Sequence, residues 1–173
     1  IYTALPDQRN LFRSTAFHST LVVGGREQHR IPSDMREGLF WVQSNNANAS
    51  TLTCTHTEWV ACHKGYGKIH TRRVAIDNST IIVQDDCTLD LPKSIICMLH
   101  PTVEVHRVEK GVECTRDGRT LRIQSDDAIS VENAWYSPEY GMRVPTTRLV
   151  MMMSSHRHEF RITRIEASTT SAS

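Results

Sequence analysis

Three features of the sequence predict an all-β fold, an antiparallel β-sandwich of two stacked sheets. Apolar and polar residues alternate with period two, turn-forming pairs recur roughly every ten residues, and helical periodicity is nearly absent. Successive side chains of a strand point to opposite faces, so such alternation marks a ribbon with one buried side and one wet side.

Along the chain, Val22-Val23 reads as a strand that Gly24-Gly25 can turn back on itself. Pro32 to Gly38 reads as a short helical turn, and Ser44 to Ser50, with its three asparagines, as a polar loop. Ser50-Thr51-Leu52-Thr53-Cys54-Thr55 alternates as a strand. Arg73-Val74-Ala75-Ile76-Asp77 and Thr80-Ile81-Ile82-Val83 flank Asp77-Asn78 as a hairpin, and Asp117-Gly118 separates Val112-Glu113-Cys114 from Leu121-Arg122-Ile123 in the same way. Thr120 to Gln124 alternates through that second arm. Pro138 and Gly141 set a turn in Tyr136-Ser137-Pro138-Glu139-Tyr140-Gly141, and the run from Leu149 to Met153 reads as adaptable core. Trp41, Trp59 and Trp135 read as core residues of a β-rich chain. The Ala, Ser and Thr tail of 167–173 reads as frayed, which leaves 1–166 as a single domain.

At 173 residues the chain is long enough to bury roughly two-thirds of its unfolded surface without disulfides. It opens on Ile1 and reads as a piece of a longer protein. Twenty basic against nineteen acidic residues give a formal charge of +1, which removes bulk attraction as an argument for nucleic acid. No stretch approaches the roughly 18 apolar residues of a membrane helix. Neither nucleic acid nor a membrane is an expected partner. Cys54, Cys62, Cys87, Cys97 and Cys114 are odd in number and lack C-x-x-C spacing, so they read as buried thiols, with room for one disulfide, and leave the compartment open. No G-x-S-x-G, phosphate-binding glycine loop or H-E-x-x-H occurs.

Histidines carry most of the site signal. His18 stands at the mouth of the Leu21-Val22-Val23 strand, where an imidazole can ligate a divalent ion or face an anionic sugar, or equally serve as a hydrogen-bonded structural residue. His63-Lys64-Gly65-Tyr66 and His70-Thr71-Arg72-Arg73 gather two histidines, a tyrosine and two arginines near one turn, a set able to grip carboxylates and sulfates. His56 and His63, seven apart, fall on opposite faces of a regular strand. His156 and His158 share a face but lack a third ligand nearby, and read as a turn with solvated charges.

Four of these pieces also carry a resemblance. Arg13-Ser14-Thr15-Ala16-Phe17-His18-Ser19-Thr20 resembles the arginine-serine-threonine-alanine-x-histidine-asparagine-threonine segment of the heparinase II/III-like polysaccharide lyases. Gly25-Arg26-Glu27-Gln28, the His63 to Arg73 pair and Tyr136 to Gly141 follow in the order that family uses. Ser19 stands where the family has asparagine, and Gly24 where it has aspartate. The resemblance implies the C-terminal β-sandwich of a lyase that cleaves uronate-containing glycans by β-elimination, preceded by an α/α-toroid domain. It implies that His18 helps to hold a divalent metal, zinc or calcium, with further ligands from a preceding segment this chain lacks. Tyr2, His63, Tyr66 and Arg72 are then the residues expected to face acidic polysaccharide, and the isolated chain holds no catalytic residue. A degradative parent of this kind would be periplasmic or secreted. A noncatalytic carbohydrate-binding or interaction sandwich is the alternative.

Overall fold

A computed structural model describes residues 6–29, 31, 49–139 and 142–166. A short helix α1 (Pro6–Arg13) and a 3-10 turn (Thr15–Phe17) precede β1 (Leu21–Val23), β2 (Ser50–Cys54), β3 (Glu58–His63), β4 (His70–Asp77), β5 (Thr80–Cys87) and β6 (Lys93–Met98). Then come β7 (Glu104–Val108), β8 (Gly111–Arg116), β9 (Arg119–Ser125), β10 (Ile129–Tyr136), β11 (Val144–Met152) and β12 (Arg157–Ile165). The strands form two antiparallel sheets, one of four in the order β1-β6-β11-β10 and one of eight in the order β2-β3-β4-β5-β12-β9-β8-β7. The sandwich expected from the alternation is present.

Strand register decides which residues meet. Val74 lies opposite Val83, Val83 opposite Phe160, Ile162 opposite Ile123, and Ile123 opposite Val112, giving the large sheet an apolar inner face. Against it the small sheet places Leu21, Val23, Ile95, Leu149 and Met151, all with no exposed surface. Both expected hairpin turns form, with left-handed backbone at Asn78 (φ 52°), Asp117 (φ 50°) and Gly118 (φ 71°). Gly24-Gly25 turns β1 back only as far as a single bridge between Val23 and Arg26.

Four strands cannot cover eight, so part of the large inner face is open. Ile76, Ile81 and Leu121, which alternate in step with half-buried Val74 and with buried Val83 and Ile123, are 40, 38 and 42% exposed. A groove of about 990 Å³ lies along this uncovered end.

The structure corrects several readings. Helix α1 escaped the periodicity because eight residues make barely two turns, although Pro6 at its start, Asp7 in the first turn and Arg13 in the last are proper end signals. Trp59 and Trp135 are not core but 37 and 38% exposed; Trp135 stacks under the Arg143 guanidinium, 4.5 Å from the ring centre. In the methionine run strand alternation divides the roles, Met151 being buried and Met152 mostly exposed. His158 is buried in β12 rather than solvated in a turn. All five cysteines are free thiols, but only Cys87 and Cys114 are buried, Cys62 and Cys97 being half-buried and Cys54 exposed; burial still pushes Cys97 up to about 11, which leaves it unreactive. Tyr2, Trp41, Tyr140, Gly141, the turn over 32–38, most of the loop over 44–50 and the tail 167–173 lie outside the described residues. Among the described residues no helix is long and apolar enough to cross a membrane.

Leu149 touches both sheets' core with no exposed surface. Leu149→Ala is expected to cost about 2–5 kcal/mol, read as a lowered urea midpoint with an unchanged slope.

Candidate functional site

The site grows from one buried charge. Asp85 faces inward on β5, in step with Ile81, Val83 and Cys87, and has no exposed surface. An ion there needs strong partners. Arg72, opposite it on β4, donates through Nε to Oδ1 and through Nη2 to Oδ2, both at 2.9 Å, and His70 Nε2 lies 2.6 Å from Oδ1. Burial by itself pushes the Asp85 carboxyl up, but the hydrogen bond from His70 and the charge and hydrogen bonds of Arg72 outweigh it and hold the group below the usual carboxylate range.

A directed chain of hydrogen bonds leads outward from Asp85. His63, at the end of β3, accepts the Gly65 N–H on Nδ1 at 3.1 Å, and its Nε2 lies 2.8 Å from His70 Nδ1. Burial, then the charges of His70, His29 and Arg72, lower His63 to about 4, so its ring is neutral and carries its proton on Nε2. It follows that His63 donates to His70, and His70 donates to Asp85. The two rings meet edge to face with centres 4.8 Å apart.

The same elements hold the segment that carries His18. Arg72 Nη1 donates to the Ser19 carbonyl at 2.8 Å, and Ser19 Oγ accepts the Met98 N–H at 3.0 Å, so serine finds its own partner where the family has asparagine. Tyr66, 6% exposed, donates its hydroxyl to the Leu21 carbonyl at 2.6 Å; burial pushes it up to about 12. From the loop after Gly25, Glu27 accepts the Thr15 N–H at 2.6 Å, and Gln28 donates to Thr15 Oγ1 and Thr20 Oγ1. Gly65 lies so close to this loop that a Cβ would come within 2.8 Å of the Gln28 carbonyl oxygen.

Three of the four pieces singled out in the sequence therefore form one hydrogen-bonded unit. The fourth, Tyr136, packs elsewhere, against His100. His63, Tyr66 and Arg72 spend their polar atoms mainly on internal partners, with Arg72 still 26% exposed. His18 is exposed. Among the described residues no three His, Cys, Asp or Glu side chains are grouped for a metal. Asp85 was not singled out in the sequence; its signal is an acidic residue in the inward register of an apolar strand.

Residues 1–169 match the family described as heparinase II/III-like, C-terminal. The chain belongs to that family. No curated protein matches the sequence. Among solved structures the heparinase II/III-like fold recurs in a heparinase III with methylated lysines, at a TM-score of 0.69 and 16% identity over 95% of this chain and 26% of that one. It recurs also in heparan sulfate lyase HepC from Pedobacter heparinus, at a TM-score of 0.69 and 18% identity over 96% of this chain and 27% of that one. Such identities show the shared fold, and the chain spans about a quarter of the length of these structures.

A second histidine cluster has the connectivity of a nucleophilic triad: Ser125 Oγ lies 3.3 Å from His158 Nε2, and His158 Nδ1 lies 2.8 Å from Asp127 Oδ2. The His158 side chain is only 1% exposed, and Ser125 Oγ already accepts the Asp127 N–H at 3.1 Å. The cluster ties the turn after β9 to β12.

Two outcomes are expected. Asp85→Asn leaves Arg72 without its counter-charge and should cost about 3–5 kcal/mol in denaturant unfolding. The pH dependence has a defined sign: the unfolded His63 takes a proton near 6.5 and the folded one only near 4, so stability should fall as pH drops through that window. The Asp85 contribution is lost only lower, as pH falls below 3.8 toward its depressed folded value. Unfolding of a His63→Gln variant followed between pH 7 and 4 should show a flatter dependence than wild type, as roughly one titrating group is removed.

Proposed function

We propose that this chain is the C-terminal sandwich of a polysaccharide lyase that cleaves uronate-containing glycans by β-elimination, and that it is catalytically incomplete alone. The observation carrying this reading is the unit just described, in which the Thr15–Thr20, Glu27–Gln28 and His63–Arg72 segments of a heparinase II/III-like chain close around the His18 backbone. β-Elimination requires a neutralised uronate carboxylate, a base for the C5 proton and an acid for the leaving oxygen. In this proposal His18 faces the glycan, and Tyr2, outside the described residues, is a further candidate for binding it. His63, Tyr66 and Arg72 form the wall that keeps His18 in place, and Arg72 turns its open edge to the substrate. The acid and base come from a preceding helical domain of a longer protein. A divalent metal at His18 would need its other donors from that region too, and no step here depends on it.

A noncatalytic glycan-binding sandwich is the second reading, favoured by the internal use of the His63 and Tyr66 polar atoms. One experiment separates the two. The longer protein, incubated with heparan sulfate, chondroitin, hyaluronan and alginate, is expected to generate the ultraviolet absorbance of an unsaturated uronate on at least one. His18→Ala should lower that rate by about a hundredfold or more while leaving the unfolding midpoint unchanged. Glycan binding without any product would replace the lyase reading with the binding one.

A further inference from the structure

The open groove is apolar along its length. Its floor on the large sheet is Val74, Val83, Ile162 and Ile123, with exposed Leu121 beside them, and Cys97 and Leu99 line it from the small-sheet side. Apart from Ser19 beside Arg72 and Asp117 in the turn after β8, no lining side chain is a hydroxyl, an amide or a carboxylate. One end is cationic. Arg116, Arg119 and Arg164 stand in step with Cys114, Leu121 and Ile162, so they share the face of the floor. Arg116 and Arg119 are cross-strand partners, and Arg164 pairs with Leu121, diagonal to Arg119. Directly opposed like charges destabilise a sheet, and Asp117, at 3.2 Å, relieves only Arg116. Among the described residues no carboxylate pairs with Arg119 or Arg164.

We propose that this groove binds an anionic amphiphile of the fatty-acid class, its carboxylate held by Arg119 and Arg164 and its acyl chain laid along the floor. The inference stands apart from the lyase reading. A volume of about 990 Å³ falls at the upper end of small-molecule sites, which are concave and mostly apolar with a few convergent polar groups. Guanidinium forks match a carboxylate's two oxygens in pairs. Side chains from β4, β5, β12, β9 and β8, neighbours in the sheet, line the groove, which at about 4.8 Å per strand makes it roughly 20 Å long. An extended acyl chain, filling half of a bilayer's roughly 30 Å hydrocarbon core, fits that length. Other occupants fit less well. A sugar laid on the floor would give up its hydroxyls' bonds to water and find no partners there. A second copy of this chain would put its own three arginines into the same interface, with no carboxylate beyond Asp117 to match them. Single-stranded nucleic acid lacks a stacking face, because the one aromatic lining the groove, Phe160, is 4% exposed.

The test is isothermal titration of this chain with butanoate, octanoate, decanoate, dodecanoate and dodecyltrimethylammonium, each kept below its micelle threshold. Dodecanoate should bind with one molecule per chain, about tenfold or more tightly than the same alkyl chain on the cationic head. Each methylene added between octanoate and dodecanoate should tighten binding about two- to fourfold, as a chain leaving water for an apolar floor does, and butanoate should give no heat of binding. The Arg119→Gln/Arg164→Gln double variant should bind dodecanoate about tenfold or more weakly with its unfolding midpoint unchanged. Leu121→Gln, at an exposed position on the floor, should also weaken it. Arg161→Gln, on the opposite face of β12 and paired with Glu159 at 3.0 Å, should bind as wild type. Affinity independent of chain length, equal affinity for the two heads, or an unaffected arginine double variant with intact fold overturns the proposal. So does a dimer in sedimentation that Leu121→Gln abolishes, formed by a chain that takes up no dodecanoate, since the groove is then an interface between copies. The readout is binding alone, so it stands whether or not the longer protein yields an unsaturated product.

Discussion

A carboxylate with no exposed surface organises one whole side of this molecule. Removing an ion from water costs several kcal/mol, and only a counter-charge with well-formed hydrogen bonds offsets it. Asp85 therefore requires both Arg72 and His70. Each brings more with it: Arg72 uses its remaining arm on the Ser19 carbonyl, and His70 engages His63, whose far nitrogen takes the Gly65 N–H. One buried charge thus ties β3, β4 and β5 to the turn that presents His18. The direction of the proton chain follows from the outermost bond, because a backbone N–H can only donate.

Unequal sheets are the second determinant. The four-stranded layer buries its five central side chains completely, yet it covers only part of an eight-stranded face. What it leaves open is a groove with an aliphatic floor, Arg72 near His18 at one end and the β8–β9 arginines at the other. The two ends differ in how their charge is handled. Arg72 is neutralised by Asp85 inside the protein, so it serves architecture first; among the described residues no carboxylate pairs with Arg119 or Arg164.

Much of the fold was legible in local pattern. Alternation located β2, β4 and β9, and the Asp77-Asn78 and Asp117-Gly118 pairs marked hairpins that the backbone confirms with left-handed conformations. Local pattern failed where two faces had to be told apart. Trp59, Trp135 and Met152 have core-forming side chains, but their position within an alternating strand turns them outward. His158 shows the opposite error: flanked by His156 and Arg157 it looked solvated, yet it lies under the sandwich beside Asp127. Helix α1 is too short to display a period. At the site, His63, Tyr66 and Arg72 were visible through their motifs, whereas Asp85 sat unnoticed in Gln84-Asp85-Asp86, a polar triplet whose middle member alone points inward.

The sequence by itself determined the all-β class, the positions of the main hairpins and membership of a lineage whose segments recur in order. Those properties depend on short-range periodicity, turn chemistry and local motif, all of which can be read from neighbouring residues. Only the tertiary structure decided that the Thr15–Thr20, Glu27–Gln28 and His63–Arg72 segments close on one another, that Asp85 is their common anchor, and that three arginines converge on an open groove. These depend on strand register and on how far one sheet extends past the other. Both are set by pairings between residues far apart in the chain, for which no local signal exists.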